Sequence, residues 1–305
     1  MDINRQPSAI IELLAQHFGT RILQRPEDYL LKFGSVGGAL LHSTLFVPGL
    51  VRIDGSILLR LWVNSDEAIT RFRNFRTSSG LSLSEVEARY NWVEVPYLFG
   101  GNISDLSDDG YDLLAVILRD AWDGYLRVIS QGNVFKVEIL LPDETGSTIG
   151  VGFYREQVEA LRSTNQLQAI PEDRAQALKI AMSRHFPGAD NFDIDDYAHA
   201  LGSGVLTLAY SFLFLPSTKK YDNDIVLDYK FSKNSSSYFF NNCILISELF
   251  PPNIHDTEAD CKLLALQIRD SWDGWLRLQY PQRRFFVEVT NPESANVGVQ
   301  FYESK

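Results

Sequence analysis

The residues best suited to chemistry lie in a block that occurs twice. Arg119, Asp120, Trp122, Asp123 and Gly124 stand in the pattern RDxWDGxLR, and Arg269, Asp270, Trp272, Asp273 and Gly274 repeat it 150 residues later. Two carboxylates beside an arginine and a tryptophan could bind a sugar or act as acid and base. The same residues also have a structural use. Tryptophan fills a core, arginine pairs with a neighbouring aspartate, and glycine takes a positive φ after a helix. Retention in both places favours the structural use, because a repeated fold keeps packing signatures more readily than two active sites. Arg119, Trp122, Asp123, Arg269, Trp272 and Asp273 therefore stand as an alternative ligand site, and no residue is assigned a catalytic role.

The remaining candidates carry less. His17 and His185 are the only histidines at equivalent positions, and no nucleophile is marked beside them, so each is expected at a helix end beside Phe18 or Phe186. His42, His199 and His255 lack ligand spacing such as HExxH. The run Asp190, Asp193, Asp195 and Asp196 lacks the central glycine and terminal glutamate of a calcium loop. Gly34, Gly37 and Gly38 form neither GxGxxG nor a P-loop. Cys243 and Cys261 have no counterparts and read as buried thiols. No metal and no cofactor is expected.

Charge singles out two further stretches. Arg71, Phe72, Arg73, Phe75 and Arg76 put cations and rings at helical spacing, suited to a phosphate or an acidic partner, or else to an amphipathic helix that buries Ile69, Phe72 and Phe75. Asp105, Asp108 and Asp109 open an acidic stretch that would attract a basic partner. Arg71, Arg73, Arg76, Asp105, Asp108 and Asp109 are the candidate partner-binding residues.

The elements that must position these residues follow from the repeat. Ten of fifteen positions are identical between Leu113–Arg127 and Leu263–Arg277. The match continues from Phe135, Val137 and Glu138 to Phe285, Val287 and Glu288, and from GVGFY at Gly150 to GVQFY at Gly298. Upstream, His17-Phe18, Asp28-Tyr29, Gly34-Ser35, Ser43, Phe46 and Pro48 recur at a constant offset of 168. Leu98-Phe99 recurs at 151, so the first copy carries an extra segment near 64–90. The expected plan is a tandem duplication of an α+β domain, with 1–156 the first repeat, 157–171 a polar helical joint and 172–305 the second.

Each copy is expected to open with a helix, at Ile10–Phe18 and Leu178–Phe186, ended in the second by Pro187-Gly188. A hairpin should follow, from Ala39–Val47 to Ile57–Val63 and from Val205–Leu215 to Ile225–Phe231, turning near Ile53–Gly55 and Tyr221–Asp224. A third strand is expected at Trp92–Leu98 and Cys243–Leu249. The repeated LLA segment reads as a helix, since Thr257 with Asp260 resembles a capping box. The Asp-Gly after it should turn the chain into strands at Tyr125–Ile129, Phe135–Leu141 and Ile149–Tyr154, an antiparallel meander. The result is one mainly antiparallel sheet of five or six strands per copy with helices on one face.

Composition narrows function. The 305 residues are 45% apolar, enough for one or two packed cores. With 39 acidic against 28 basic residues the net charge is −11, which argues against a nucleic-acid partner. Two cysteines make no disulfide framework, and a reducing cytoplasm is the expected setting. MDINRQPSAIIELL lacks the pattern of a secretory signal, and no run of 18 apolar residues spans a membrane. The expected function is a non-catalytic protein-binding module, in its sharpest form a bacterial toxin-immunity protein that occludes a toxin with a basic surface. The alternative is an enzyme or small-ligand binder that uses a groove between the repeats.

Overall fold

The computed structural model describes residues 30, 32–99, 106–130, 134–144, 147–156, 172–186, 201, 204–216, 218–221, 224–227, 242–250, 253, 256–294 and 296–304, with residues 12, 15 and 16 beside them. The first half contains α1 (Val36–Phe46), β1 (Leu50–Ile53), β2 (Ser56–Leu59), α2 (Asp66–Ser79), α3 (Leu83–Tyr90), β3 (Trp92–Glu94), α4 (Asp108–Ile129), β4 (Phe135–Leu140) and β5 (Gly150–Arg155). The second contains α5 (Glu172–His185), α6 (Gly204–Phe214), β6 (Thr218–Tyr221), β7 (Asp224–Leu227), β8 (Cys243–Leu245), α7 (Ile246–Leu249), α8 (Glu258–Gln279), β9 (Phe285–Thr290) and β10 (Gly298–Glu303). The fold mixes helix with antiparallel sheet. Apart from α2 and α3 in the first half and the short α7 in the second, the order from α1 to β5 recurs from α6 to β10.

Five expectations about elements need correction. Ala39–Val47 and Val205–Leu215 are not strands; they lie largely in α1 and α6. These helices are apolar almost all round because they are buried almost all round, so their sequence carries no 3.6-residue stripe. The hairpin lies just beyond each of them. In the first half β1 pairs with β2 across Asp54 and Gly55, both at positive φ, as a two-residue turn with the twist of a hairpin requires. Ile57–Val63 is a strand only to Leu59 and then a 3₁₀ turn, Arg60–Trp62.

The stretch Tyr125–Ile129 is likewise helical, since α4 runs unbroken through Asp123-Gly124 to Ile129. α8 does the same through Asp273-Gly274. The third strand stops early. β3 gives way to a 3₁₀ turn at Pro96–Phe99, and β8 to the short α7. Finally, among the described residues each half holds two small sheets in place of one large one. They are a two-stranded hairpin and a three-stranded sheet ordered β3-β5-β4 or β8-β10-β9, so the last strand in sequence is central.

The helix expected at the LLA segment and the Thr257–Asp260 capping box agree with the structure. α4 and α8 are capped by Ser107 and Thr257, and Thr257 with Asp260 forms a complete capping box. Each of these helices packs on one face of its three-stranded sheet. The segment near 64–90 is the helix pair α2 and α3, capped by Ser65 and Ser82. It closes a small satellite core of Ile53, Leu58, Val63, Phe72 and Val86 over the hairpin. The main core is continuous through both halves, from Leu40 and Leu118 to Ile268 and Phe301. Ile10–Phe18, Asp28-Tyr29, the joint 157–171 and the residues 187–200 are outside the described residues, apart from Glu12, Ala15 and Gln16, which are helical.

Candidate functional site

The repeated RDxWDGxLR segments meet back to back at the centre of the molecule. α4 and α8 cross at their glycines: a Cβ on Gly124 would sit 2.8 Å from the carbonyl carbon of Gly274, and one on Gly274 would sit 2.5 Å from that of Gly124. The glycine is thus kept by the absence of a side chain, and its role as a turn after a helix is withdrawn. Trp122 and Trp272 are buried, and each indole donates to a main-chain carbonyl at the end of the preceding buried helix, Leu45 at 2.6 Å and Leu213 at 2.9 Å. Each also meets a phenylalanine of the central strand edge-on, Phe153 or Phe301.

The charged members of the segment satisfy one another. Asp120 accepts from Arg119 and Asp270 from Arg269, and Asp270 also accepts from Arg174 of α5. Asp123 accepts from Arg127 and Asp273 from Arg277, one helical turn on, through paired guanidinium contacts. Burial pushes the Asp120 carboxyl above the usual carboxylate range, against the pull of Arg119. Burial and the neighbouring Asp270 push the Tyr125 hydroxyl up as well.

Residues related by the 168-residue offset in the sequence also face each other. His42 and Tyr210 stack at 4.3 Å between centroids, and Phe46 and Phe214 at 5.2 Å, each pair 168 residues apart. His42 donates from Nδ1 to the Gly38 carbonyl at 2.7 Å, while its Nε2 is buried without a hydrogen-bond partner. Burial lowers its pKa to about 4, opposed by that hydrogen bond, so the ring is neutral near pH 7. Nearby, the Tyr210 hydroxyl accepts from the Ser35 amide. His185 lies buried at the end of α5, with Nε2 3.4 Å from Asp260 and its ring against Gly37. Burial works against ionisation of Asp260, but hydrogen bonds from Thr257 and Arg184 outweigh it and hold the carboxyl below its ordinary range. Gln267 of α8 is buried too, and its Oε1 has no partner.

The partner-binding candidates lie on separate elements. Asp108 and Asp109 occupy the first turn of α4, exposed and joined by exposed Asp112, and none of the three forms an ion pair with a described residue. Asp105 is outside the described residues. On α2, Phe72 is buried and Phe75 half-buried, both against Tyr90. Arg71 and Arg73 stay exposed, Arg73 lying 3.4 Å from Asp54, and Arg76 is half-buried with Nη1 unpartnered.

Three polar residues that sequence reasoning missed hold the sheets in place. Glu87 of α3 is fully buried; its carboxylate accepts from the amides of Ile57 and Arg155 and from the Arg155 guanidinium. Asn91 accepts from the Leu59 amide and donates to the Ile57 carbonyl, so the free edge of β2 is paired. In the second half Asn242 accepts from the Leu227 amide in the same way. Asn91 and Asn242 stand seven residues before Leu98-Phe99 and Leu249-Phe250, so the 151-residue offset contained the signal.

Among the described residues no group of histidine, cysteine and carboxylate side chains could hold a metal ion, and no helix is long and apolar enough to cross a membrane. Cys243 and Cys261 are free and half-buried, and burial pushes the Cys261 thiol up to about 11. Comparison with protein-family models, curated protein sequences and solved structures finds no match for this chain.

Proposed function

We propose that this chain is a non-catalytic intracellular binding module that works by occupying a basic surface on another protein, in its sharpest form a bacterial toxin-immunity protein of the cytoplasm. The observation that carries this reading is the exposed row Asp108, Asp109 and Asp112 on α4, presented by a chain of net charge −11. The acidic turn also stabilises its helix through the macrodipole, so its cost to the fold is low. A tandem duplication would double the surface. Its support is the recurring order of elements, the matched Asn91 and Asn242 contacts, and the meeting of equivalent residues at three places between the halves.

The test is capture of tagged protein from its native cells at low salt, run beside the Asp108→Lys/Asp109→Lys variant. A stoichiometric partner that salt releases and the variant fails to retain supports the reading. A partner held equally by both proteins, or none held by either, overturns it. A second reading, a small-ligand site between the halves, is favoured by the buried unpartnered His42 Nε2 and Gln267 Oε1. A compound that raises the melting temperature of the wild type, but not of a Gln267→Leu variant, would support it.

A further inference from the structure

β4 is an open edge whose charges are complementary to themselves. It lies outside β5 in the sheet β3-β5-β4, and the bond from the Glu156 amide to the Val134 carbonyl sets the phase of the ladder. With Lys136 opposite Tyr154, the residues Lys136, Glu138 and Leu140 exchange hydrogen bonds with β5. The amides and carbonyls of Phe135, Val137 and Ile139 therefore point away from the sheet, and no described residue bonds to this row. Apolar side chains mark both ends of the edge, Val134 at 47% exposure and Leu141 at 74%.

We propose that β4 pairs antiparallel with β4 of a second copy of this chain, joining two three-stranded sheets into one of six. Pairing through the outward row requires odd-numbered residues to meet odd-numbered ones, so a symmetric pair near the middle of the strand centres on Lys136, Val137 or Glu138. Centring on Lys136 places two ammonium groups opposite each other, and centring on Glu138 two carboxylates. Centring on Val137 places each Lys136 opposite Glu138 of the partner subunit, at non-hydrogen-bonded positions where side chains approach most closely. Within each chain Lys136 already lies 2.8 Å from Glu138, so the four groups alternate in sign around a square. β9, the matching edge in the second half, has Phe286 and Glu288 at these positions and no cation, so the same centring selects β4 alone.

Strand addition of this length is a small interface, and a dissociation constant of ~10–100 µM is expected. Sedimentation velocity of the full chain across that range, at physiological salt to screen the repulsion between acidic chains, tests it. The wild type should form a dimer, and the amides of Phe135, Val137 and Ile139 should exchange more slowly as concentration rises. Lys136→Glu faces carboxylates with carboxylates and should weaken the dimer at least about tenfold. Lys136→Glu/Glu138→Lys should restore it. Val137→Pro removes the central outward amide, at a position where an edge strand tolerates proline, and should abolish the dimer while the melting temperature shows the monomer intact. A wild type that stays monomeric throughout, or a dimer that both Lys136→Glu and Val137→Pro leave unchanged, overturns the proposal.

Discussion

At the scale of single residues, the side chains that looked most like catalysts are engaged in holding the protein together. Trp122 and Trp272 pin the ends of α1 and α6, and the arginines are committed to neighbouring carboxylates. His42 couples stability to pH, since its buried neutral ring has a pKa of about 4 against an ordinary value near 6.5. A base whose pKa is depressed by folding binds its proton more readily in the unfolded chain. Its contribution is complete above about pH 6.5 and is lost as pH falls toward 4, by up to roughly 3 kcal/mol. Denaturant titration of wild type and His42→Phe across this window should show the wild type losing stability relative to the variant by about that amount. Parallel curves would mean that the ring is hydrated in solution.

At the scale of elements, α4 and α8 come into main-chain contact where they cross at Gly124 and Gly274. Gly274→Ala gains up to about 1 kcal/mol of helix propensity, yet its Cβ would press on the Gly124 carbonyl and the Tyr125 amide, main-chain atoms that a rotamer change cannot move. The helices must part, and a net loss of about 1–3 kcal/mol is expected in chemical denaturation. Gly110→Ala in the first turn of α4 meets only the Leu106 side chain and should be close to neutral. The second informative element is α3, inserted between hairpin and sheet. Glu87 and Asn91, one turn apart, pair the main chain of β2 with that helix, so the insertion serves as a cap on an edge that would otherwise be exposed.

At the scale of the whole molecule, the two halves share one core. Helices from the two halves meet at His42 with Tyr210, Phe46 with Phe214 and Gly124 with Gly274. The core runs without a break between the halves, so calorimetry should record one transition with equal calorimetric and van't Hoff enthalpies. Two separate transitions would show the halves to be independent bodies joined by a linker.

The amino-acid sequence by itself determined the helices α4 and α8 as far as Gly124 and Gly274, the Thr257–Asp260 capping box, and the paired strands β4–β5 and β9–β10. The capping box marks where α8 begins and the repeated segment carries the same reading to α4, while short connections rich in turn residues set off the paired strands. Tertiary structure alone decided the rest. α1 and α6 are enclosed on nearly every side, which erases the period that distinguishes helix from strand. The central place of β5 and β10 depends on pairing between strands distant in sequence, which no local pattern encodes. The purpose of the repeated glycine was hidden for the same reason: a turn and a close helix crossing both call for glycine, and only the presence of a second helix against it distinguishes them.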